Sequence, residues 1–154
     1  MLIIKKKVLK NRCFHICGGE NAHCKIILII NKKGGNNMAK TIYAKANMPV
    51  AGVTFENRQN KLMSVLTSDK CYISLRRERN NKYDPNAIQV LAHTNHNGQE
   101  TVMTIGYVPK DKAFWLAKAM DTGKTVKVSY YKIVGNKKQN LGCRLTVLHE
   151  MTVD

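Results

Sequence analysis

Residues 75–90 read LRRERNNKYDPNAIQV, and the rest of the chain is best read outward from them. Three arginines, Arg76, Arg77 and Arg79, leave the end of a strand-like segment, Cys71 to Leu75, and lead into Asn80, Asn81, Lys82, Tyr83, Asp84, Pro85 and Asn86. Asn and Asp side chains satisfy backbone groups locally, and Pro85 fixes its own φ while pushing Asp84 away from helix, so the pattern predicts a rigid turn. Ala87 to Leu91 resumes strand, with Ile88 and Val90 on one face and Gln89 on the other. A rigid loop anchored on both sides that gathers Arg, Asn, Tyr and Asp side chains can bind a ligand. The simpler alternative is an Asx-rich hairpin connection beside a solvated arginine cluster.

Upstream, Pro49 opens a strand in which Val50, Gly52 and Thr54 alternate with Ala51, Val53 and Phe55, Gly52 allowing a bulge or a close backbone approach. Residues 38–48 read as a short polar lead. Glu56 to Lys61 is turn-like, and Leu62 to Leu66 fits either a helical turn or a short strand. Downstream, His93 to Gln99 has the composition of a hairpin turn; two loop histidines with no further ligand nearby make no metal site. Glu100 to Val108 is a strand ended by Pro109. Lys110 to Met120 is the one clear helix, since Ala113, Phe114, Leu116, Ala117 and Met120 repeat at three and four residues and Gly123 closes it. Thr125 to Val134 sets Val126, Val128 and Tyr130 against Lys127, Ser129 and Tyr131, and a lysine-bearing turn leads into Leu141 to His149. About six strands with one appended helix and no βαβ alternation predict a mainly β (α+β) domain, a small antiparallel barrel. Cys71 and Cys143 read as small buried hydrophobes rather than a disulfide or a nucleophile.

The chain has 154 residues, with 26 lysines and arginines against 10 acids, a formal charge of +16. That excess favours polyanionic partners, nucleic acid before anionic membrane. No apolar run approaches the ~18 residues of a membrane span, and the protein is expected to be cytoplasmic. Residues 1–37 hold eight basic residues against Glu20, so +7 of the charge lies there and +9 in the remainder. No uninterrupted apolar stretch of signal-peptide type occurs among them. Cys13, His15, Cys17, His23 and Cys24 supply soft ligands, but their spacing lacks the paired knuckles of a zinc site. Lys32-Lys33-Gly34-Gly35-Asn36-Asn37, just before Met38, can be encoded by a purine run of ribosome-binding type. Residues 1–37 are accordingly expected to be a basic leader, either disordered or a mis-called start, with translation beginning at Met38.

Arg77, Glu78, then Asn80 to Val90, followed by Ile105, Gly106, Tyr107, Val108 and Pro109, resemble the HIRAN domain family. That family repeats a basic-acidic pair, N-x-Y-D-x-N-A-I-x-V and a later hydrophobic-G-[HY]-[IVL]-P step. The resemblance runs from Pro49 to Met151 and implies an OB-like or SH3-like barrel. The chain resembles a standalone bacterial or phage member. Relatives in helicase-like transcription factors bind 3′ single-stranded DNA ends, and the roles carry over residue by residue. Phe55 and Tyr83 would stack on bases, and Asp84 would accept from the 3′ hydroxyl. Arg76 or Arg77, Asn81 and Lys110 would hold phosphates, Asn80 counts among the DNA-binding residues, and Tyr107 would add a stack or a hydrogen bond. The implied partners are single-stranded DNA or DNA 3′ ends and a helicase or nuclease acting beside them, with no cofactor. Thr54 stands where the family can carry a longer side chain, and Lys82 replaces a common proline. By residue type alone, Phe55 fits core as well as pocket, and Lys110 fits solvent as well as phosphate.

Catalysis finds little support in the residues. A nuclease needs clustered carboxylates to hold Mg²⁺, and the acids after residue 37 are scattered, with Asp84 and Glu78 the only near pair. A protein-interaction module using a basic face is the alternative from another class.

Overall fold

A computed structural model describes residues 25–28, 42–136 and 138–151. The elements are β1 (Lys25–Leu28), β2 (Ile42–Pro49), α1 (Arg58–Thr67), β3 (Lys70–Arg77), β4 (Ile88–His96), β5 (Gln99–Tyr107), α2 (Lys110–Asp121), β6 (Val126–Val134) and β7 (Gly142–Met151). They form two antiparallel sheets, ordered β1-β2-β7-β6 and β3-β4-β5.

The sheets meet where the chain leaves β2. Val50 N–H donates to Cys143 O at 2.8 Å, and Ala51 exchanges two backbone bonds with Tyr107, at 2.8 and 2.9 Å. Two consecutive residues thus belong to β7's sheet and to β5's. Gly106 makes this crossing possible, because a Cβ there would stand 2.3 Å from Val50 Cγ1 and 2.5 Å from Ala51 O. On the opposite side β6 approaches β3 through one side-chain bond, Tyr131 Oη donating to Cys71 O at 3.4 Å. Six strands are present in residues 42–151, but the first ends at Pro49 where the expected strand from Pro49 to Phe55 should begin; there only Ala51 keeps a bridge, to Tyr107, and the chain turns, and the six strands make two sheets joined at one corner rather than a closed barrel. Leu62, Ile88, Val90, Ile105, Leu116, Leu145 and Val147 fill the space between them.

Several local expectations are corrected. Residues 42–48, expected as a lead, are most of β2, which pairs with β7 along its whole length. Residues 25–28, expected in the leader, form edge strand β1 on β2. The five cysteine and histidine ligand candidates at 13–24 lie outside the described residues. The ambiguous Leu62–Leu66 segment belongs to α1, a second helix whose buried positions Arg58, Leu62 and Val65 follow helical spacing. β4 runs on through His96, so the hairpin turn is only Asn97-Gly98, both at positive φ (50° and 83°) as a type I′ turn needs. His93 and His96, three apart on a strand, consequently face opposite sides of the sheet. In β6 an extra residue at Ser129 reverses the alternation, so Tyr130 is exposed and Tyr131 packs on the core. Phe114 points to solvent; Ala113, Leu116 and Ala117 are the buried residues of α2.

Candidate nucleic-acid interface

The expected site residues gather at one end of the three-stranded sheet, where β3 ends, β4 begins and β5 ends. The register there sets Arg76 opposite Gln89 and Gln89 opposite Tyr107, with Ala51 bridged to Tyr107 beyond. Directly paired residues share a face, so Arg76, Gln89 and Tyr107 form one row.

The 78–87 loop is held by its own side chains, as its composition predicts. Asn81 Oδ1 accepts from the N–H groups of Tyr83 (2.9 Å) and Asp84 (3.0 Å), while its Nδ2 donates to Glu78 Oε2 at 2.8 Å. Asp84 Oδ1 accepts from Asn86 N–H at 2.8 Å. Glu78 N–H to Ala87 O at 2.9 Å and Ala87 N–H to Asp84 O at 3.0 Å close the base. Asn81 is therefore a scaffold residue, and Asn80 beside it is exposed. Tyr83 is 90% exposed, and Asp84 keeps Oδ2 clear of bonds among the described residues.

The three arginines separate by role. Arg77, with a side chain only 11% exposed, donates to Ala87 O (3.0 Å) and Pro85 O (2.7 Å) and pairs with Asp121 at 3.2 Å. It latches the loop to the end of α2, with four of its five N–H donors committed there. Arg79 pairs with the same Asp121 at 2.8 Å. Arg76 Nε and Nη2 donate to Gln89 Oε1 at 2.9 and 2.6 Å. That acceptor is neutral, so Arg76 is held in place with its charge uncompensated.

Phe55 is 67% exposed, in the turn between Ala51 and α1, so it is not part of the core. Gly52, at φ 71°, accepts from Phe55 N–H, and a Cβ there would crowd Arg58 Nη1 at 2.9 Å. Arg58 is the residue beside this site that the sequence reading passes over. It is 4% exposed, donates to Gly52 O at 2.8 Å, pairs with Glu56, and lies 5.2 Å from the centroid of the Tyr107 ring. A buried guanidinium thus braces the turn carrying Phe55 against the ring of Tyr107. The available signal was spacing: Arg58 shares a helical face with Leu62 and Val65. Glu56 and Asn57 both adopt left-handed backbone (φ 53° and 60°) between Phe55 and α1, a costly conformation for side chains that glycine would take freely.

Lys110 is exposed at the first position of α2, immediately after Pro109 and two residues after Val108, whose N–H donates to Ile88 O at 3.0 Å. It stands at the same sheet end as the loop and belongs to no ion pair among the described residues; the lysine–carboxylate contact of this turn is Lys112 to Asp111 at 3.4 Å. A cavity of about 260 Å³ lies elsewhere, between α1 and the β6–β7 turn, and none of these residues lines it.

An Asx-held loop carrying Tyr-Asp and an exposed lysine at a helix start thus lie together at one end of a small antiparallel sheet. The HIRAN domain model matches residues 46–152, and the chain belongs to that family. HIRAN domains are generally DNA-binding modules. Comparison with curated proteins and with solved structures finds no match. No helix among the described residues is long and apolar enough to cross a membrane.

Proposed function

We propose that this domain binds single-stranded DNA at a free 3′ end. In this reading Tyr83 and Phe55 stack on the last bases, and Asp84 Oδ2 accepts a hydrogen bond from the terminal hydroxyl. Arg76 and Lys110 neutralise the adjoining phosphates, and Tyr107 with Arg58 forms the floor. Arg77 and Asn81 shape the loop rather than touch the strand, and Asn80 lies exposed beside them. The observation that carries the proposal is Asp84, whose Oδ1 is fixed by Asn86 while Oδ2 stays open beside a fully offered Tyr83 ring. An ionised carboxylate only accepts hydrogen bonds, so it favours a hydroxyl and repels a phosphate at the same position. A helicase or nuclease that acts at the same end is the partner class this reading implies.

Stacking is tested by anisotropy with a short fluorescent single strand. Tyr83→Ala removes a side chain that packs on almost nothing in the free protein, so folding is untouched. Binding should weaken by ~1 to 3 kcal/mol, about five- to 150-fold. Unchanged binding by both Tyr83→Ala and Phe55→Ala would remove the stacking element of the proposal.

A further inference from the structure

The three-stranded sheet turns one face inward, with Ile73, Val90, Ala92 and Ile105 in the core. α1 packs on that side, where His96 bonds Ser64 at 3.0 Å. The other face carries Gln89, Leu91 and His93 of β4, and Leu91 at its centre is buried. The Arg76–Gln89–Tyr107 row at its near end belongs to the interface already described. Farther along, the register places Tyr72 opposite His93 and His93 opposite Val102, with Lys70 one row beyond. Tyr72 and Val102 are 63% and 56% exposed. The Tyr72 ring is stacked on His93, centroids 4.1 Å apart and planes 9° from parallel, and Ser74 Oγ holds His93 Nε2 at 2.7 Å. One face of the tyrosine ring is covered and oriented by the imidazole; the other is open to water.

We propose that this sheet face is a second contact for single-stranded nucleic acid, a track that carries the strand away from the end-binding pocket. Tyr72, backed by His93, offers a stacking platform, and Val102 extends its apolar surface. Arg76 at the near end and Lys70 at the far end meet the backbone. From Gln89 to His93 is four strand residues, roughly 13 Å, which an extended strand crosses in a few nucleotides.

Two observations favour nucleic acid as the occupant. The face continues directly into the candidate interface through Arg76, Gln89 and Tyr107. Its charge is also positive where it is uncompensated: Arg76 is held by a neutral amide and Lys70 has no ion pair among the described residues, whereas the one acid on the face, Glu100, lies at the far corner. A second copy docking face to face by a two-fold axis would set these cations against one another. Aromatic platforms in a positive surface bind single strands with little sequence preference.

The inference rests on the proposed function only for which end of the strand enters the pocket. Its test uses the full chain and two fluorescent oligothymidylates, one of four and one of twelve nucleotides, each with a 3′ hydroxyl or a 3′ phosphate. Wild type should bind the longer strand more tightly. Tyr72→Ala should lose roughly tenfold of that gain and leave the hydroxyl preference intact, and Tyr72→Phe should keep the gain. A length effect lost in Tyr72→Ala, with no hydroxyl preference in either protein, would uphold the track and sink the 3′-end reading. The track is overturned if length brings no gain, if Tyr72→Ala matches wild type on both lengths, or if sedimentation shows that Tyr72→Ala only dissolves a dimer.

Discussion

Arg58 shows how a charged side chain beside the candidate site can be structural. Its guanidinium is almost wholly buried, Nε has no hydrogen-bond partner among the described residues, and its carboxylate partner Glu56 is 71% exposed. Screening by water makes the ion pair worth little, so Glu56→Gln should cost under about 1 kcal/mol. Arg58→Met removes the donor to Gly52 O and the cation over Tyr107, and should cost ~1 to 3 kcal/mol by thermal or urea unfolding. It should also weaken single-strand binding, because the turn bearing Phe55 loses its brace. A variant as stable and as tight as wild type would show that Arg58 braces nothing. Arg77 and Asn81 make the complementary point. They are written in the motif as prominently as Asp84, yet their polar atoms are spent on Ala87, Pro85, Asp121 and the loop N–H groups. Residue type and spacing indicate that a polar loop is held; which polar atoms remain open depends on where each side chain finds its partner.

Element by element, legibility followed local signals. β3, β5, α2 and the Asx-held loop were readable, because alternation, helical spacing and the Asn-Asp-Pro chemistry act within a few residues. β2 was missed because Ala44, Lys45, Ala46 and Asn47 look polar and small, although Ala44 is fully buried against its neighbours in the sheet. The Ser129 bulge was missed because one inserted residue leaves composition unchanged while reversing every side chain after it. α1 was ambiguous over Leu62–Leu66 because its first turn looked like loop. The corner between the sheets is the long-range feature that local pattern could not supply. It turns on Gly106, and Gly106→Ala should cost on the order of 3 kcal/mol, read as a fall in melting temperature. A near-neutral Gly106→Ala would mean that Val50 and Ala51 do not cross β5 so closely. Gln59 similarly ties α1 to the start of β7, its Nε2 donating to Leu141 O at 2.9 Å and its Oε1 accepting from Leu141 N–H at 2.7 Å.

For the molecule as a whole, charge and buried titratable groups set the response to solution conditions. Burial pushes His149 below its ordinary 6.5, opposed by a backbone hydrogen bond at Glu150 and assisted by the Lys124 charge; its ring meets Trp115 edge-on at 4.6 Å. The folded protein therefore binds this proton less readily than the unfolded chain, so stability is complete above the ordinary value and falls as pH drops through it. Melting temperature should decline between about pH 7.5 and pH 5.5, and His149→Gln should flatten that decline. Burial also raises the Cys143 thiol to about 12, so a thiol reagent should reach it only on unfolding. The formal +16 makes any DNA affinity strongly salt-dependent. Lys110→Ala should lower the slope of log affinity against log salt by about 0.7. None of these measurements addresses the chemistry at the strand end. The direct one compares anisotropy binding, at fixed salt, to a single-stranded oligonucleotide with a 3′ hydroxyl and to the same strand with a 3′ phosphate, for wild type and Asp84→Ala. The account predicts tighter binding of the hydroxyl by wild type and loss of that preference in Asp84→Ala. Equal binding of both strands by wild type would contradict it and leave a basic domain that is blind to ends.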